Sequence, residues 1–400
     1  MKDYSRRQFL TTTAAAAGSV ALLNAKEQEA SLPDVLLPYL QYPGQAAMTV
    51  CLPAKGISNV AVECVGPKGK ASVNAKADAF GKSPWQIWKA RFEALEAGAT
   101  YRYVVSYRDA QGKAATLPEK SFRALDPTAK QVRCAFVNDI HNKIPTLEAV
   151  MGQVKPEDYE FSVLNGDMEN APRSAETVLS VWNHYVRLLD GGNKPMLFVR
   201  GNHEYRGGFR DHMAALFDLP HLNLKDHPND YRYEFDCQVG PLHLVMTDTG
   251  EDDWPNTPEN NYRRPVVMRK IRERQAAWLK DLAGQKKSTP WRVFVSHIPI
   301  YNSAGWRSLP SQQLWSETLS QMGIDLAIAG HDHSWKFVAA GKEYELKREG
   351  IKETPPFPTL IGGGPALKQG TIILLEASQD RLVSRMIHSS GKELHRFKLG

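Results

Sequence analysis

Between residues 131 and 333 the chain carries a series of short apolar runs, and each run stops at a polar segment. The runs occupy residues 132–137, 161–164, 195–199, 243–246, 292–296 and 324–329. Strands that are apolar at nearly every position are buried on both faces, as in sheets covered by helices. Helical periodicity separates several of the runs, at 175–189 and 269–282. The pattern predicts an α/β fold with a layered α-β-β-α domain.

Five of the apolar runs lead directly into side chains that bind metals. The segments are Asn138-Asp139-Ile140-His141, Asn165-Gly166-Asp167, Gly201-Asn202-His203-Glu204, Ser296-His297 and Gly330-His331-Asp332-His333. Loops at strand ends are where α/β folds place their sites. If the Asp-x-His and His-x-His segments are extended, both side chains of each pair point to the same side. We therefore expect one shared site, and its imidazole, carboxylate and amide groups suit Mn, Fe or Zn.

Each segment alone is a weak signal, because a single strand-end histidine is more often a satisfied polar group than a ligand. All five in this order resemble the calcineurin-like metallophosphoesterases, over residues 131 to about 333. We draw the corresponding domain from residue 131 to residue 400. The strand end Asp248-Thr249-Gly250 and the segment Gln275-x-x-Trp278-Leu279 are also similar to family features.

The resemblance implies a dinuclear centre and assigns a role to each ligand. Asp139, His141 and His333 would hold the first ion, Asp167 would bridge to the second, and Asn202, His297 and His331 would complete the second. His203 would stay off the metals and face the phosphate.

The residue types agree with phosphate ester hydrolysis. A carboxylate such as Asp167 can be shared by two cations about 3.5–4 Å apart. A water that bridges the ions would lose its proton near neutral pH, and the resulting hydroxide would attack phosphorus in line. His203 would then donate a hydrogen bond or a proton to the departing ester oxygen.

Residues next to the proposed ligands are candidates for substrate contact or support. We expect Asn202, His203 and Arg206 to line the substrate site. Arg206 has two interpretations, a fork to phosphate or a surface salt bridge. Asp332 and Glu204 also have two, an acid that orients a neighbouring imidazole or a solvated acid.

Short β-rich runs separated by Pro and Gly fill residues 35–125. They occupy 46–52, 59–65, 70–77, 85–92 and 100–108. This spacing predicts a small all-β sandwich before the metal-binding domain. Residues 92–105, in which a Leu and a Gly turn precede Tyr101-Arg102-Tyr103, resemble the later strands of fibronectin type III domains.

A β-sandwich before such a domain resembles the purple acid phosphatases, but two positions depart from them. Those enzymes carry a tyrosine iron ligand three residues after the bridging aspartate, and here that position is Asn170. Their first motif also lacks the histidine that stands here as His141. We therefore expect no tyrosinate-to-iron absorption band.

Residues 1–25 have the parts of an export signal. Ser5-Arg6-Arg7-Gln8-Phe9-Leu10 precedes a weakly apolar run that ends near Ala25. Paired arginines before Phe-Leu resemble the twin-arginine signal, and the alternative is a short amphipathic helix. The run is too short to span a bilayer permanently. We expect the mature chain to have no transmembrane segment. We expect it to be periplasmic or secreted, exported by the twin-arginine route.

Charge and cysteine content narrow the function further. A formal charge of +6 over 400 residues is modest and the basic residues are scattered, so nucleic-acid binding is not indicated. Of the four cysteines, Cys51 and Cys64 are candidates to pair in an oxidising compartment. Cys134 and Cys237 lie in apolar runs and have the character of buried apolar residues.

The leading interpretation is an exported hydrolase of small-molecule phosphate esters. Monoesterase, diesterase and nuclease stay open, because the same metal core suits all three. A metal-stabilised, non-catalytic binding protein is the alternative from another class. Segment 250–264 is either a specificity lid or a long surface loop. The sequence leaves the metal identity, the physiological substrate and the oligomeric state open.

Overall fold

The computed structural model of the chain describes residues 32–44, 46–219, 232–251, 265–301, 308–346 and 351–400. The predicted export signal at residues 1–25 lies outside them. Residues Asp34–Gly400 form one compact unit. Within the described ranges, no helix has both the length and the apolar composition needed to cross a bilayer.

Residues 39–123 form two antiparallel sheets. The strands are β1 (Tyr39–Gly44), β2 (Ala47–Lys55), β3 (Ser58–Gly66), β4 (Gly69–Asn74), β5 (Lys76–Ala79), β6 (Trp85–Phe92), β7 (Thr100–Arg108), β8 (Ala114–Thr116) and β9 (Lys120–Arg123). One sheet has the order β1-β2-β6-β5, and the other has the order β4-β3-β7-β8 with β9 also paired to β7. Alternate residues of both sheets, such as Val50 and Val62, share one buried core. The predicted all-β sandwich is confirmed.

One strand of the sandwich was predicted wrongly. Residues 70–77 are not a single strand, because β4 pairs with β3 in one sheet and β5 pairs with β6 in the other. The chain therefore changes sheets between Asn74 and Lys76. Local β propensity at 70–77 cannot reveal such a crossing, because it depends on which partner strand each half meets.

The rest of the chain contributes fourteen strands and four α-helices within the described ranges. The strands are β10 (Gln131–Val137), β11 (Phe161–Asn165), β12 (Met196–Val199), β13 (Phe235–Val239), β14 (Leu242–Thr247), β15 (Trp291–Ser296), β16 (Leu326–Ala329), β17 (Lys336–Val338), β18 (Tyr344–Leu346), β19 (Ile351–Glu353), β20 (Thr359–Ile361), β21 (Thr371–Ser378), β22 (Leu382–His388) and β23 (Glu393–Leu399). The helices are α1 (Ile144–Met151), α2 (Ala175–Leu188), α3 (Pro265–Ala283) and α4 (Leu309–Gln321).

Two six-stranded mixed sheets pack face to face in this part of the chain. Their orders are β12-β11-β10-β21-β22-β23 and β13-β14-β15-β16-β20-β17. Strands β10, β11 and β12 are parallel, and so are β14, β15, β16 and β20. Alternate residues of both sheets, such as Phe136 and Val295, form the core between them. The opposite face of the second sheet, including Phe294, packs on α3 and α4, and α1 contacts β21 and α2. This confirms the layered α/β architecture.

The two helices predicted from periodicity are present, and two shorter helices were missed. Helix α2 begins after Ser174, whose hydroxyl accepts a hydrogen bond from the N–H of Thr177 at 3.3 Å. Helices α1 and α4 each have a proline in the first turn. Proline is favoured in the first turn of a helix, so it is the sequence feature from which these two helices could have been predicted.

All four cysteines are buried and free. Cys51 lies on β2 and Cys64 on β3, strands that follow each other in sequence but belong to different sheets.

Candidate metal centre

The five predicted segments come together at one edge of the layered domain. They follow β10, β11, β12, β15 and β16, whose parallel strands end at the same side of their sheets. Ligand atoms within 4.8 Å of one another form two groups. The first group contains Asp139, His141, Asp167 and His333, and the second contains Asp167, His297 and His331. Asp167 alone belongs to both groups.

The backbone at these residues is left-handed rather than extended. Five of the ligand residues have a positive φ: Asp139 (52°), His141 (47°), Asp167 (52°), His331 (72°) and His333 (51°). Strands β10 and β16 have already ended, at Val137 and Ala329. The assumption that each pair shares the side of a strand was therefore wrong. Residues other than glycine rarely adopt this conformation, and where they do they cluster at functional sites.

Each carboxylate uses one oxygen for support and turns the other towards the histidines. Oδ2 of Asp139 accepts hydrogen bonds from the N–H of His331 at 2.7 Å and from Nδ2 of Asn138 at 2.6 Å. Oδ1 of Asp139 is buried without a hydrogen bond to any described residue, 3.3 Å from Nε2 of His333. Burial raises the pKa of Asp139, but the nearby imidazoles of His297, His141 and His333 lower it by more and hold it below its usual range. The group stays ionised.

Asp167 lies between the two groups through a single atom. Its Oδ1 accepts a hydrogen bond from the N–H of His203 at 2.8 Å. Its Oδ2 lies 3.4 Å from Nε2 of His141 and 3.2 Å from Nε2 of His297. Burial raises the pKa of Asp167 and His297 lowers it by more, so the net pKa is well below its usual value. An ionised oxygen between two sets of imidazoles is the arrangement that a bridging ligand requires.

The orientation of His297 is fixed by the strand that precedes Asp167. Nδ1 of His297 donates a hydrogen bond to the carbonyl oxygen of Asn165 at 2.9 Å. Because a carbonyl can only accept, the lone pair of the neutral ring is on Nε2 and faces Asp167. Burial lowers the pKa of His297, but the carboxylates of Asp167 and Asp139 raise it to about 10. The same two charges would attract a metal cation in place of that proton.

Asn202 presents its amide to the second group. Its Oδ1 lies 2.9 Å from Nδ1 of His331 and 3.2 Å from Nε2 of His297. A reversed amide would instead donate from Nδ2 to both rings. With Oδ1 of Asn202 facing the two rings, this oxygen, Nε2 of His297 and Oδ2 of Asp167 are three acceptors around one point. Converging acceptors without a donor are what a cation fits.

Two glycines of the motifs are required by close approach. A Cβ on Gly166, where φ is +78°, would overlap the ring of His297, and a Cβ on Gly330 would overlap Oδ2 of Asp139. These contacts explain why Asp167 and His331 each follow a glycine.

Glu204 has a role that neither of its two sequence interpretations included. Its side chain is buried and contacts no imidazole by hydrogen bond among the described residues. Instead it accepts from the backbone N–H groups of Asp167 (2.9 Å), Glu169 (3.0 Å) and Gly201 (2.8 Å). The carboxylate thus joins the loops after β11 and β12. Asp332, the other acid, forms an ion pair with Lys336 at 2.6 Å.

His203 and Arg206 lie beside the ligands and contact each other. Nδ1 of His203 donates to the carbonyl oxygen of Asn170 at 2.6 Å, and Nη1 of Arg206 donates to Nε2 of His203 at 2.6 Å. Nε2 of His203 lies 3.8 Å from Oδ2 of Asp167, farther than the rings of His141 and His297. Burial and the charge of Arg206 together lower the pKa of His203 to about 4, although the carboxylate of Asp167 opposes them. The ring is neutral.

Arg206 forms a salt bridge, as one of its two sequence interpretations has it, but with a buried partner. Its fork binds the buried carboxylate of Glu251, with Nε to Oε2 at 3.1 Å and Nη2 to Oε1 at 2.8 Å. The Arg206 side chain is 22% exposed, and its Nη1 faces His203. Glu251 ends the described part of segment 250–264, and Trp254 and Tyr262 of that segment lie outside the described residues.

The two weaker family-like segments contact each other near this edge. Oε1 of Gln275 accepts from the N–H of Asp248 at 2.8 Å, and Nε2 of Gln275 donates to the carbonyl oxygen of Asp248 at 2.7 Å. The Asp248 carboxylate accepts from Nε of Arg200 at 2.8 Å and from the Tyr205 hydroxyl at 2.7 Å. Tyr205 is buried in this cluster.

Comparison with known families and proteins agrees with the geometry. Residues 132–335 match the family model described as calcineurin-like phosphoesterase. Among curated proteins, the chain is 27% identical over 231 residues to purple acid phosphatase 21 of Arabidopsis thaliana, covering 54% of this chain and 47% of that protein. It is 24% identical over 265 residues to purple acid phosphatase 22 of the same plant, covering 63% and 53%. The chain thus spans about half the length of these relatives.

Two solved structures share the fold over most of the chain. Purple acid phosphatase PPD1 from yellow lupin (Lupinus luteus) seeds superposes with a TM-score of 0.68 at 15% identity, covering 92% of this chain and 75% of that one. The structure of PhoD gives a TM-score of 0.61 at 13% identity, covering 92% and 93%. At these identities the likeness establishes the architecture alone.

Proposed function

Because this chain belongs to the calcineurin-like phosphoesterase family, we propose that it is a metal-dependent hydrolase of phosphate esters. The observation that carries the proposal is the position of Oδ2 of Asp167, within 3.4 Å of a histidine from each ligand group. One anionic oxygen shared by two sets of ligand atoms supports a centre of two divalent transition-metal ions.

The ligand sets follow from the two groups. Asp139, His141, Asp167 and His333 would hold one ion, and Asp167, Asn202, His297 and His331 would hold the other. Nitrogen donors mixed with carboxylate and amide oxygens favour Mn, Fe or Zn. His333 has the most exposed side chain of the first group, at 38%, which puts it at the open side of the site.

The bound ions would lower the pKa of a coordinated water towards neutrality and offset the charge of the phosphate. The chain itself supplies the positioning. Backbone N–H groups of His331 and His203 hold the carboxylates of Asp139 and Asp167 in place. His203 is the side chain beside the ligands that we assign to the departing ester oxygen. Its Nδ1 donates to the Asn170 carbonyl, so Nε2 is the atom that faces the departing oxygen; Nε2 accepts from Arg206 in the neutral ring and would have to take up a proton from solvent before it donates one, whereas the Arg206 guanidinium already carries N–H donors.

The proposal also covers the substrate class, the export route and the identity of the sandwich. We assign small-molecule phosphate esters as substrates, export by the twin-arginine route to residues 1–25, and a fibronectin III-like identity to the sandwich at 35–125. Asn170 and His141 support a centre without a tyrosine ligand, although several relatives carry the name purple acid phosphatase.

The test uses the full chain and a panel of phosphomonoesters and phosphodiesters. We expect about two metal ions per chain by elemental analysis, turnover of at least one ester class, and a loss of about 10²–10⁴-fold in kcat for His203→Ala. Bound metals without turnover of any ester in the parent protein would overturn the hydrolase and favour the binding-protein alternative.

A further inference from the structure

The N-terminal sandwich contacts the segment of chain that directly follows His203 and Arg206. This segment, residues 207–218, contains the short helix Arg210–Leu216. Sandwich residues from three separate places reach it: the end of β5, the start of β1, and β6 with its neighbour β2.

The first contact is aromatic. Phe80, which follows β5 and is fully buried, packs edge-to-face on Phe209 with ring centroids 4.8 Å apart and planes at 78°. The next residue, Gly81, has φ of +67°, and a Cβ there would lie 2.7 Å from the Phe209 ring. The sandwich backbone therefore lies directly against this ring, and a side chain at residue 81 would displace it.

The other contacts are polar and hold the far end of the segment. The hydroxyl of Tyr39 donates to the carbonyl oxygen of Leu216 at 2.6 Å. Nζ of Lys89 donates to the carbonyl oxygen of Phe217 at 2.5 Å. Nη1 of Arg91 binds the carboxylate of Asp218 at 3.0 Å. Tyr39 is fully buried and the Lys89 side chain is 14% exposed, so their two bonds are largely shielded from water. The Arg91–Asp218 pair is partly exposed.

The near end of the segment is fixed close to the metal centre. Gly207 has φ of +76° and lies so close to Pro172 that a Cβ would overlap its carbonyl oxygen. The N–H of Phe209 donates to the same carbonyl at 3.0 Å. Arg206, one residue before this turn, donates from Nη1 to His203. A shift of the segment would thus disturb Arg206, whose guanidinium and the Asn170 carbonyl together orient the His203 ring.

We propose that the β-sandwich is a positioning element for His203, acting through Phe80 and Lys89 on residues 207–218 and from there through Arg206. The proposal rests on the proposed function, since it assigns His203 to the leaving group. Phe80 and Lys89 are positioning residues, because neither is among the residues that form the metal centre.

The experiment compares Phe80→Ala and the milder Lys89→Met with the parent, each also in a His203→Ala background. The substrates are an aryl ester with a good leaving group and an alkyl ester with a poor one, from the class that the parent hydrolyses. Phe122→Ala is the matched control, because Phe122 is also a buried phenylalanine of the sandwich, but its ring packs on Tyr101 and Tyr103 and not on Phe209.

We expect Phe80→Ala to lower kcat for the alkyl ester by about 10- to 100-fold and for the aryl ester by much less, since a displacement of about 1 Å has effects of that size. Lys89→Met should lower it in the same direction, with metal content unchanged in both variants. In the His203→Ala background, Phe80→Ala should cost less than about twofold further, because coupled residues are not additive.

Three results would overturn the positioning role while leaving the hydrolase intact: full additivity with His203→Ala, equal losses for both esters, or the same leaving-group dependence in Phe122→Ala. If Phe80→Ala does not fold, Lys89→Met decides by the same criteria. A parent without turnover would remove the proposed function and this inference with it.

Discussion

The carboxylate of Glu204 accepts a hydrogen bond from the backbone N–H of Asp167, with Oε2 and N 2.9 Å apart, although the two residues are 37 positions apart in sequence. The same oxygen accepts from the N–H of Gly201 at 2.8 Å. One buried acid thereby joins the loop that carries the bridging candidate to the loop that carries Asn202 and His203. The positions of ligands from β11 and β12 therefore depend on a residue that binds no metal.

Replacing Glu204 by glutamine should weaken both the fold and the centre. Glutamine has one acceptor oxygen, so its NH₂ group would face at least one of three backbone N–H donors. An unsatisfied buried donor costs about 1–3 kcal/mol in free energy of unfolding, and loss of such support typically lowers metal affinity by about 10–100-fold. Urea unfolding and metal titration would measure the two effects.

The control for this change is Glu273→Gln, which alters an exposed acid paired with Arg269 on α3. An exposed pair of this kind is worth less than about 1 kcal/mol. Equal stability and metal affinity for Glu204→Gln and the control would contradict the role of Glu204.

Replacing the ligand that both groups share should remove more metal than replacing a ligand of only one group. Asp167→Asn removes the charge that both groups share, so we expect well below one ion per chain after dialysis. His333→Ala affects the first group and His331→Ala the second, so each should retain about one ion. Elemental analysis of the dialysed proteins measures this, with His388→Ala as a control outside both groups. Two ions retained by Asp167→Asn would exclude it as the bridge.

The iron-loaded protein should lack a strong visible absorption band. The residue three positions after Asp167 is Asn170, and its carbonyl oxygen accepts a hydrogen bond from His203. A visible absorption spectrum of the iron-loaded protein would check this. A strong band that disappears on mutation of a tyrosine would disprove it.

The four thiols should react with a disulfide reagent only after unfolding. All four are buried and free. Burial raises the pKa of Cys64 to about 11 and that of Cys237 to about 12. Since the thiolate is the nucleophile, at pH 8 only about one molecule in a thousand would carry it on Cys64, by the ordinary acid–base ratio. Colorimetric titration should find no fast thiol in the native protein and four in denaturant; fewer than four without reductant would indicate a disulfide.

The sequence predicted the site better than it predicted the backbone that forms it. His297 and Asp167 were identified because each ends an apolar run, and parallel strands deliver their ends to one edge. The left-handed conformation at Asp139 and His333 was missed. Asp and His adopt positive φ more often than most residues other than glycine, but it is uncommon even for them, so residue type alone does not predict it. The crossing between β4 and β5 was missed for a related reason, because each half of that run is equally strand-like.

The contacts of Glu204 and Arg206 show where sequence reasoning stops. Glu204 ends the segment Gly201-Asn202-His203-Glu204 and Arg206 follows it by two residues, and the side-chain types of both allowed several partners. The partners they have, the N–H of Asp167 and the carboxylate of Glu251, come from segments 37 and 45 residues away. Only packing of the two sheets brings these groups within hydrogen-bonding distance.

The sequence by itself determined the chemistry that is available: which strand ends carry carboxylate, amide and imidazole groups, and in what order. It could do so because apolar periodicity and side-chain type are local properties of the chain. The tertiary structure alone decided that a single oxygen of Asp167 lies between both ligand groups. It alone also decided that Glu204 accepts a hydrogen bond from the backbone of Asp167 and that the sandwich contacts the segment after Arg206. Those relations join residues far apart in sequence, and their geometry exists only after the sheets have packed.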